Sequence, residues 1–217
     1  MTRDELIAAV ETAIGALSPV YRGAADESDL YEASLLAIAV RAARLAGGTA
    51  LVTNDGTHVA PTITFRRGPG NLWSGGFTFV QVAFPQSAKR LEVHLGVMVA
   101  GASGVAHECD VALIDGLECD RSRAGTVDPR RSGVIAAVEA KHYQVSPGID
   151  VGRAFLGLGG ELVGSKCALV FPAPASLNLE MLIARKPPEC FPEVEYGSDA
   201  ADRLCRHLEQ RIRNWLP

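Results

Sequence analysis

The spacing of apolar residues predicts helices in the first quarter of the chain. Residues 4–17 carry leucine, isoleucine and valine at intervals of three and four, and the stretch from Ser28 has a nearly unbroken apolar run that ends at Gly47 and Gly48. Such spacing is typical of helices with a buried face, and Ser28 or Asp29 suits a helix N-terminus. We therefore predict an amphipathic helix, followed by a helix packed deep against a sheet.

From Thr49 the apolar positions alternate with polar ones, which is typical of β-strands. The predicted strands cover 50–53, 62–65, 77–84, "RLEVHLGVMVAG", "AHECDVALID", "GVIAAVEAKHY" and "KCALVFPA". A helix is expected to open near Asp150, "LNLEMLIARKP" fits a strand or short helix, and residues 199–215 form a closing amphipathic helix. This order predicts an α/β fold with a mixed central β-sheet flanked by helices.

Length and composition narrow the class of protein. With 217 residues and no repeat or linker, the chain is expected to form a single domain over residues 1–217, with its core at about 28–172. No apolar run is long enough for a membrane span or a signal peptide, and five cysteines without CxxC spacing fit a reducing, cytoplasmic compartment. The net charge of −4 weakly disfavours indiscriminate nucleic-acid binding.

Zinc is disfavoured by the spacing of its candidate ligands. His107, Cys109 and Cys119 lack the paired arrangement of zinc knuckles, and Cys109 falls inside an apolar strand pattern. Small buried side chains are the favoured role for most of the cysteines.

The strand "GVIAAVEAKHY" ends in charged residues although its body is apolar. Side chains two residues apart in a strand share a face, so Glu139 and Lys141 are expected to lie together. Asp110 is the polar end of the preceding apolar strand and reaches the same patch if the two strands pair. Two carboxylates beside a lysine suit Mg²⁺, which prefers oxygen ligands and keeps several waters.

These residues resemble the signature of the PD-(D/E)xK nucleases, which have the restriction-endonuclease-like fold. Asp110, a gap of about thirty residues and then Glu139-x-Lys141 at a strand end form the motif. Glu32 in "LYEASLL" matches the acid that a preceding helix often supplies, and Arg153 matches a basic residue on the following helix. Cys109 stands where that family often has proline.

The resemblance implies a role for each matching residue. Asp110 and Glu139, with the Ala140 carbonyl, would hold Mg²⁺ or Mn²⁺, and Glu32 would complete the shell directly or through water. Lys141 would position the attacking water or help to deprotonate it, and would stabilise charge on the phosphate. Glu108 is expected on the same side as Asp110, which makes the acid of "HECD" ambiguous.

Substrate contacts are expected from basic residues near this motif. Arg153 and His142 are candidates, because one lies on the following helix and the other comes directly after Lys141. The polar connection between "AHECDVALID" and "GVIAAVEAKHY" adds candidates for phosphate contacts: Arg121, Arg123, Arg130 and Arg131. Asp120 and Asp128 dilute that cluster, and a solvated loop is the favoured alternative.

The expected function is a Mg²⁺-dependent endonuclease acting on nucleic acid, with DNA favoured, as a homodimer or within a larger complex. A defence or mobile-element setting follows by resemblance only. The alternative is a catalytically inactive nuclease-fold module for binding or assembly with a partner protein. Three structural alternatives also stay open. Glu139 and Lys141 can form a surface ion pair, Asp110 can bond to turn backbone, and Glu32 can lie on the exposed side of its helix. No Gly-x-Ser-x-Gly elbow or P-loop supports another hydrolase class.

Overall fold

The computed structural model describes residues 1–143, 145–184 and 187–217. The helices in this part of the chain are α1 (Arg3–Ile14), α2 (Pro19–Ala24), α3 (Glu27–Leu45), α4 (Gly116–Gly125), α5 (Ile149–Leu162), α6 (Leu177–Ile183) and α7 (Asp199–Trp215). The strands are β1 (Thr49–Thr53), β2 (Phe79–Ala83), β3 (Arg90–Ala100), β4 (Ala106–Asp115), β5 (Val134–Ala140), β6 (Cys167–Val170) and β7 (Glu189–Phe191). None of the helices in these ranges has the length and apolar character of a membrane span.

The strands form one mixed sheet in sequence order, β1 to β7. The first five strands pair antiparallel, whereas β5, β6 and β7 run parallel. Parallel neighbours require a crossover, and α5 and α6 lie in the two connections that supply it. The prediction of an α/β fold with a mixed, helix-flanked sheet is confirmed.

Helices cover both faces of the sheet, so each face has its own apolar core. Side chains of α1, α3 and α7 pack with Val93, Val111 and Val138 on one face. Side chains of α4, α5 and α6 pack with Ala112 and Leu169 on the other. Helix α3 is the most deeply buried, and it begins earlier than predicted, because Asp26 caps it through a bond from the Asp29 amide.

In β3 and β4 the alternation of side chains between the two sheet faces is interrupted at one point. Leu95 packs in the first core and Val97 in the second, and between them Gly96 has a left-handed φ of +55°. The regular β3–β4 register includes Leu95↔Val111 and Val97↔Cys109 and omits Gly96 and Asp110 between them. A Cβ on Gly96 would lie 2.7 Å from the Gly68 carbonyl oxygen, so a side chain here would displace the backbone at Gly68.

Two sequence-based assignments were wrong. The connection that begins "GLECDRSRAG" contains α4, because Asp115 caps a helix whose buried side is small and polar instead of apolar. Residues 62–65 form no strand of the sheet; Ile63 makes only an isolated bridge to Leu17. The segment 177–183, for which strand and helix were both open, is α6.

Candidate functional site

Asp110, Glu139 and Lys141 meet where β4 and β5 stop pairing. The register of these strands includes Val111↔Val138, which places Asp110 and Glu139 in the next positions toward the strand ends. The Ala140 amide donates a hydrogen bond to Asp110 Oδ2 at 2.6 Å. The Lys141 ammonium lies 2.7 Å from Glu139 Oε1. The structure therefore brings together the three residues that the motif predicted.

These residues line a cleft of about 510 Å³. One side carries the acids Glu108, Asp110 and Glu139 together with Lys141, and α5 contributes apolar side chains to the other side. The remaining lining residues are His107, Tyr143, Asp150, Val151, Ala154, Phe155 and Leu158. A polar wall facing an apolar wall is a common form of ligand cleft.

The carboxyl group of Asp110 resists ionisation. Burial and the charge of Glu139 raise its pKa to about 7, and the bond from the Ala140 amide and the charge of Lys141 only partly oppose this. For Lys141, burial lowers the pKa, but the hydrogen bond to Glu139 and the charges of Glu139 and Asp110 outweigh it, so its pKa is raised. Lys141 is thus an ammonium group at neutral pH.

Glu32 on α3 belongs to the same electrostatic cluster. Burial and the charges of Asp110, Asp29 and Glu108 together raise its pKa to about 8, against the opposing charge of Lys141. Glu32 therefore lies within electrostatic reach of the cleft, although it is not among the cleft-lining residues. The exposed position considered for Glu32 is wrong, since this side chain is half-buried.

Glu108 is an additional acid of the site. It lines the cleft, and burial followed by the charge of Glu139 raises its pKa. The alternation of the strand pattern had left it as an alternative to Asp110, and the structure brings both residues to the cleft. The cleft thus gathers several acids around one lysine.

The chemistry of these groups fits a divalent cation of the Mg²⁺ type. Asp110 and Glu139 supply oxygen atoms, and Mg²⁺ is normally held by one or two carboxylates and several waters. A cation would also relieve the repulsion that raises the pKa of Asp110 and Glu32. The role of the Ala140 carbonyl stays a prediction; its amide is bonded to Asp110.

The side chains of the other basic candidates, His142 and Arg153, are not among the described residues that line the cleft. His142 lies against the ring of Tyr31 at a centroid distance of 5.1 Å, on the α3 side of the sheet. Arg153 is 65% exposed and pairs with Asp150 at 3.1 Å. His142 is on the other side of the sheet, so its expected placement is wrong, whereas Arg153 pairs with the lining residue Asp150 and its contact with substrate stays a prediction.

The four arginines of the β4–β5 connection are also elsewhere, and three of them have acidic partners. Arg121 and Arg130 bind Glu118 at 2.6 and 2.8 Å. Arg123 binds Glu92 at 2.5 Å, and the Arg131 guanidinium approaches only the Glu161 carbonyl oxygen, at 3.5 Å. The solvated loop favoured as the alternative is wrong as well, because Arg121 and Arg123 belong to α4.

A second polar cluster lies on β3 and α4, and sequence reasoning missed it. Potential ligand atoms of Glu92, His94 and Cys119 all lie within 4.8 Å of one another, which no other set of three such residues achieves in the described ranges. Both Glu92 oxygens, however, already accept hydrogen bonds from Arg123, at 2.9 and 2.5 Å, and His94 lies 2.9 Å from Oε2. A metal ion would have to displace these partners.

The Glu92 carboxylate is held ionised by its partners. Burial alone would raise its pKa, but the hydrogen bonds from His94 and Arg123 outweigh burial and hold the pKa at about 2. Burial lowers the pKa of His94. The signal in the sequence was the alternation of "RLEVHLG", which places Glu92 and His94 on the face opposite Leu91 and Val93.

Comparisons with protein-family models, with curated proteins and with solved structures found no match to this chain. What the protein does is therefore inferred from its own residues and their geometry.

Proposed function

We propose that the protein is a metal-dependent nuclease that hydrolyses phosphodiester bonds of nucleic acid, with DNA as the favoured substrate. The observation that carries this proposal is the meeting of Asp110, Glu139 and Lys141 in one cleft, at the point where β5 ends and its pairing with the middle of β4 stops. Acids and a lysine converge there on a space that is open to a ligand.

The order of elements around the cleft supports a relation to the PD-(D/E)xK nucleases. Helix α3 with Glu32 precedes the antiparallel strands β3, β4 and β5, and α5 then leads to the parallel strand β6. This order agrees with the resemblance except that α4 lies between β4 and β5, where a loop was expected. The restriction-endonuclease-like fold is accordingly part of the proposal.

Mg²⁺ or Mn²⁺ is the proposed cofactor, with Asp110 and Glu139 as ligands and Glu32 as a further acid. When bound, such an ion lowers the pKa of a coordinated water and offsets charge on the phosphate. Asp110 is oriented for this role by the Ala140 amide, which fixes one of its oxygens. Glu108 lines the same cleft and adds to the negative potential that attracts a cation.

Lys141 acts as an ammonium group in this proposal. The hydrogen bond to Glu139 and the charges of Glu139 and Asp110 raise its pKa against burial, so without a bound cation it keeps its proton at neutral pH. Held 2.7 Å from Glu139, the ammonium donates hydrogen bonds toward the phosphate and stabilises charge that develops in the transition state.

The cleft lining has few positive charges, and this bears on which partners the protein needs in order to bind nucleic acid. Lys141 is the one lysine or arginine among the described lining residues, and three arginines of the β4–β5 connection are paired with Glu118 or Glu92. A nucleic-acid backbone requires more cations than this. We therefore propose that a second copy or another protein completes the surface. The same observation favours the second candidate function, an inactive nuclease-fold module that binds a partner.

The test is incubation with supercoiled plasmid, single-stranded DNA and RNA in Mg²⁺ or Mn²⁺, with and without EDTA. Metal-dependent cleavage that Lys141→Ala abolishes supports the proposal. Lys89→Ala is the matched control, because Lys89 binds carbonyl oxygens near the C-terminus and lies outside the cleft.

Two outcomes count against the nuclease. Equal cleavage by the wild type and Lys141→Ala would indicate a contaminant or another site. No cleavage, together with no binding of Mn²⁺ in a calorimetric titration, would favour the inactive module.

A further inference from the structure

A second cavity, of about 490 Å³, opens beside β2, β3 and α4, and it shares no lining residue with the cleft. Its size is within the range of sites for small organic ligands. The wall is unusual because three guanidinium groups, those of Arg66, Arg90 and Arg123, line it together. We call it the arginine cavity.

Glu92 holds two of these arginines in place. Its side chain is only 1% exposed, and it lies 2.5 Å from Arg123 and 3.2 Å from Arg90. Arg90 also pairs with Asp120. A buried carboxylate that binds two guanidinium groups fixes their positions before any ligand arrives, which lowers the entropy cost of binding.

In the described part of the chain, Arg66 is the one of the three arginines without a carboxylate partner, although the cavity lining holds as many carboxylates (Asp55, Glu92 and Asp120) as arginines. Its guanidinium donates to the carbonyl oxygens of Asn71 and Ser74, and no carboxylate of the described residues lies within ion-pair distance of it. Glu92 and Asp120 balance Arg90 and Arg123, and burial lowers the pKa of His94, so this histidine adds no charge at neutral pH. A guanidinium without a carboxylate partner can bind a phosphate oxygen directly.

Asp55 lies at the edge of the cavity, but its oxygens are already bonded. They accept from the amides of Thr57 and His58 at 2.8 and 2.9 Å, and His58 Nδ1 lies 2.8 Å away. This carboxylate closes a turn and pairs with a histidine. Its negative charge remains in the cavity, but it pairs with His58 and forms no ion pair with Arg66.

The rest of the wall suits a planar, hydrogen-bonding group. Arg66 lies over the ring of Phe77 at 4.9 Å and Arg123 over that of Phe79 at 5.0 Å, so the guanidinium planes are part of an aromatic surface. The side-chain amides of Asn54 and Gln81 also line the cavity. Amides of this kind pair with the edges of nucleobases.

We propose that the arginine cavity binds a phosphate monoester of nucleotide size, with the phosphate at Arg66 and the base toward Asn54 and Gln81. Two sources share this chemistry: a free nucleotide and the 5′-phosphorylated end of a nucleic-acid strand. This site does not depend on the cleft being a nuclease, because binding is measured without a divalent metal.

The test is isothermal titration calorimetry of the full chain in EDTA. The probes are adenosine 5′-monophosphate, adenosine, and a trinucleotide of DNA with and without its 5′-phosphate. We expect the phosphorylated probes to bind and adenosine to bind far more weakly. Binding of the mononucleotide indicates a free nucleotide as ligand, and binding of the 5′-phosphorylated trinucleotide alone indicates a strand end; both support the proposal.

Two variants report on the cavity. Arg66→Gln removes the guanidinium that has no carboxylate partner and is expected to weaken phosphate binding roughly tenfold to a hundredfold. Gln81→Glu changes a wall residue to an isosteric acid, leaves the contacts of Arg66 to the 71–74 segment intact, and is expected to abolish binding. The matched controls are Arg203→Gln and Gln210→Glu on the exposed side of α7, which change the same charges elsewhere.

Circular dichroism and thermal melts confirm that each variant is folded. Unchanged phosphate binding in Gln81→Glu, equal affinity for adenosine and its monophosphate, or no binding of any phosphorylated probe at millimolar concentration would overturn the proposal. Loss of binding in the control variants as well would overturn it too, because the interaction would then be nonspecific.

Discussion

The two charged regions of this protein handle buried carboxylates in opposite ways. Around Glu92 every oxygen has a cationic or hydrogen-bonding partner, and the pKa falls to about 2. In the cleft, Glu32 and Asp110 lie among other acids with Lys141 as the nearby cation, and their pKa values rise to about 8 and about 7. One region has balanced its charges and the other has not.

This difference separates what holds the fold from what awaits a ligand. A buried carboxylate without enough partners costs free energy, and a protein retains one where the charge is used. The Glu92 network stabilises the β3–α4 contact without any addition. Among the described residues, the acids of the cleft outnumber its one cation, Lys141, and the proposed metal ion would balance them, which makes the cleft the candidate for catalysis.

The largest expected effect is on the proposed activity of the cleft. Glu139→Gln keeps the size of the side chain but removes the charge that faces Lys141, so we expect cleavage to fall by about a thousandfold. Initial rates on plasmid DNA measure this. Asp202→Asn on the exposed face of α7 is the control and is expected to retain wild-type rates. Equal losses in both variants would refute the assignment of Glu139.

The second effect is on stability and concerns the balanced region. Glu92→Gln leaves Arg123 and Arg90 without their buried partner, so we expect the free energy of unfolding to fall by about 3 kcal/mol. Urea denaturation measures it. Glu209→Gln, which removes only an ion pair between residues four apart on α7, is expected to change little. A Glu92 variant as stable as the wild type would show that the Glu92 network does not stabilise the fold.

The third effect has the opposite sign. Asp110→Asn removes a charge that burial and Glu139 disfavour, and its amide oxygen can still accept from the Ala140 amide. We expect this variant to be more stable than the wild type by about 1 kcal/mol at pH 8 in EDTA. It should also lose most of the rise in melting temperature that Mn²⁺ gives the wild type. A destabilised Asp110→Asn would show that the carboxylate is structurally required.

The last effect is a gradual slope in the pH dependence of stability, spread over several pH units. Asp110 and Glu32 have raised pKa values, so between pH 4 and 8 the folded state binds protons that the unfolded chain has released. Stability should therefore fall as pH rises through this range in EDTA. Glu92 acts in the opposite sense, since its stabilisation is lost only as pH falls toward about 2.

Denaturation curves at several pH values test this slope. The double variant Asp110→Asn/Glu32→Gln should flatten it. A slope unchanged in the double variant would assign the pH dependence to other groups.

Local pattern predicted much of the fold and the centre of the cleft, because strand parity is a local property. Alternation placed Glu139 and Lys141 together, and pairing of β4 with β5 brought in Asp110. The same alternation argues against His142 as a substrate contact, because it places this side chain on the opposite side of the sheet, beside Tyr31. The helix α4 was missed because its buried residues include Glu118 and Ser122, and a polar buried side leaves no apolar stripe.

The arginines could not be assigned from sequence, because ion pairs depend on contacts between distant parts of the chain. Arg123 pairs with Glu92, thirty-one positions earlier, and Arg130 pairs with Glu118. Nothing in a run of basic residues indicates which acids the fold will bring to it. The arginine cavity likewise combines residues from β2, β3, α4 and the segment before β2.

The bond from the Ala140 amide to Asp110 Oδ2 makes that amide a spectroscopic reporter. An amide proton is deshielded when its nitrogen lies 2.6 Å from a carboxylate oxygen. The NMR resonance of the Ala140 amide should therefore move as Asp110 gains or loses its own proton. One backbone signal, observed without any label attached to the side chain, would then follow the charge state of the cleft during a titration with acid or with metal.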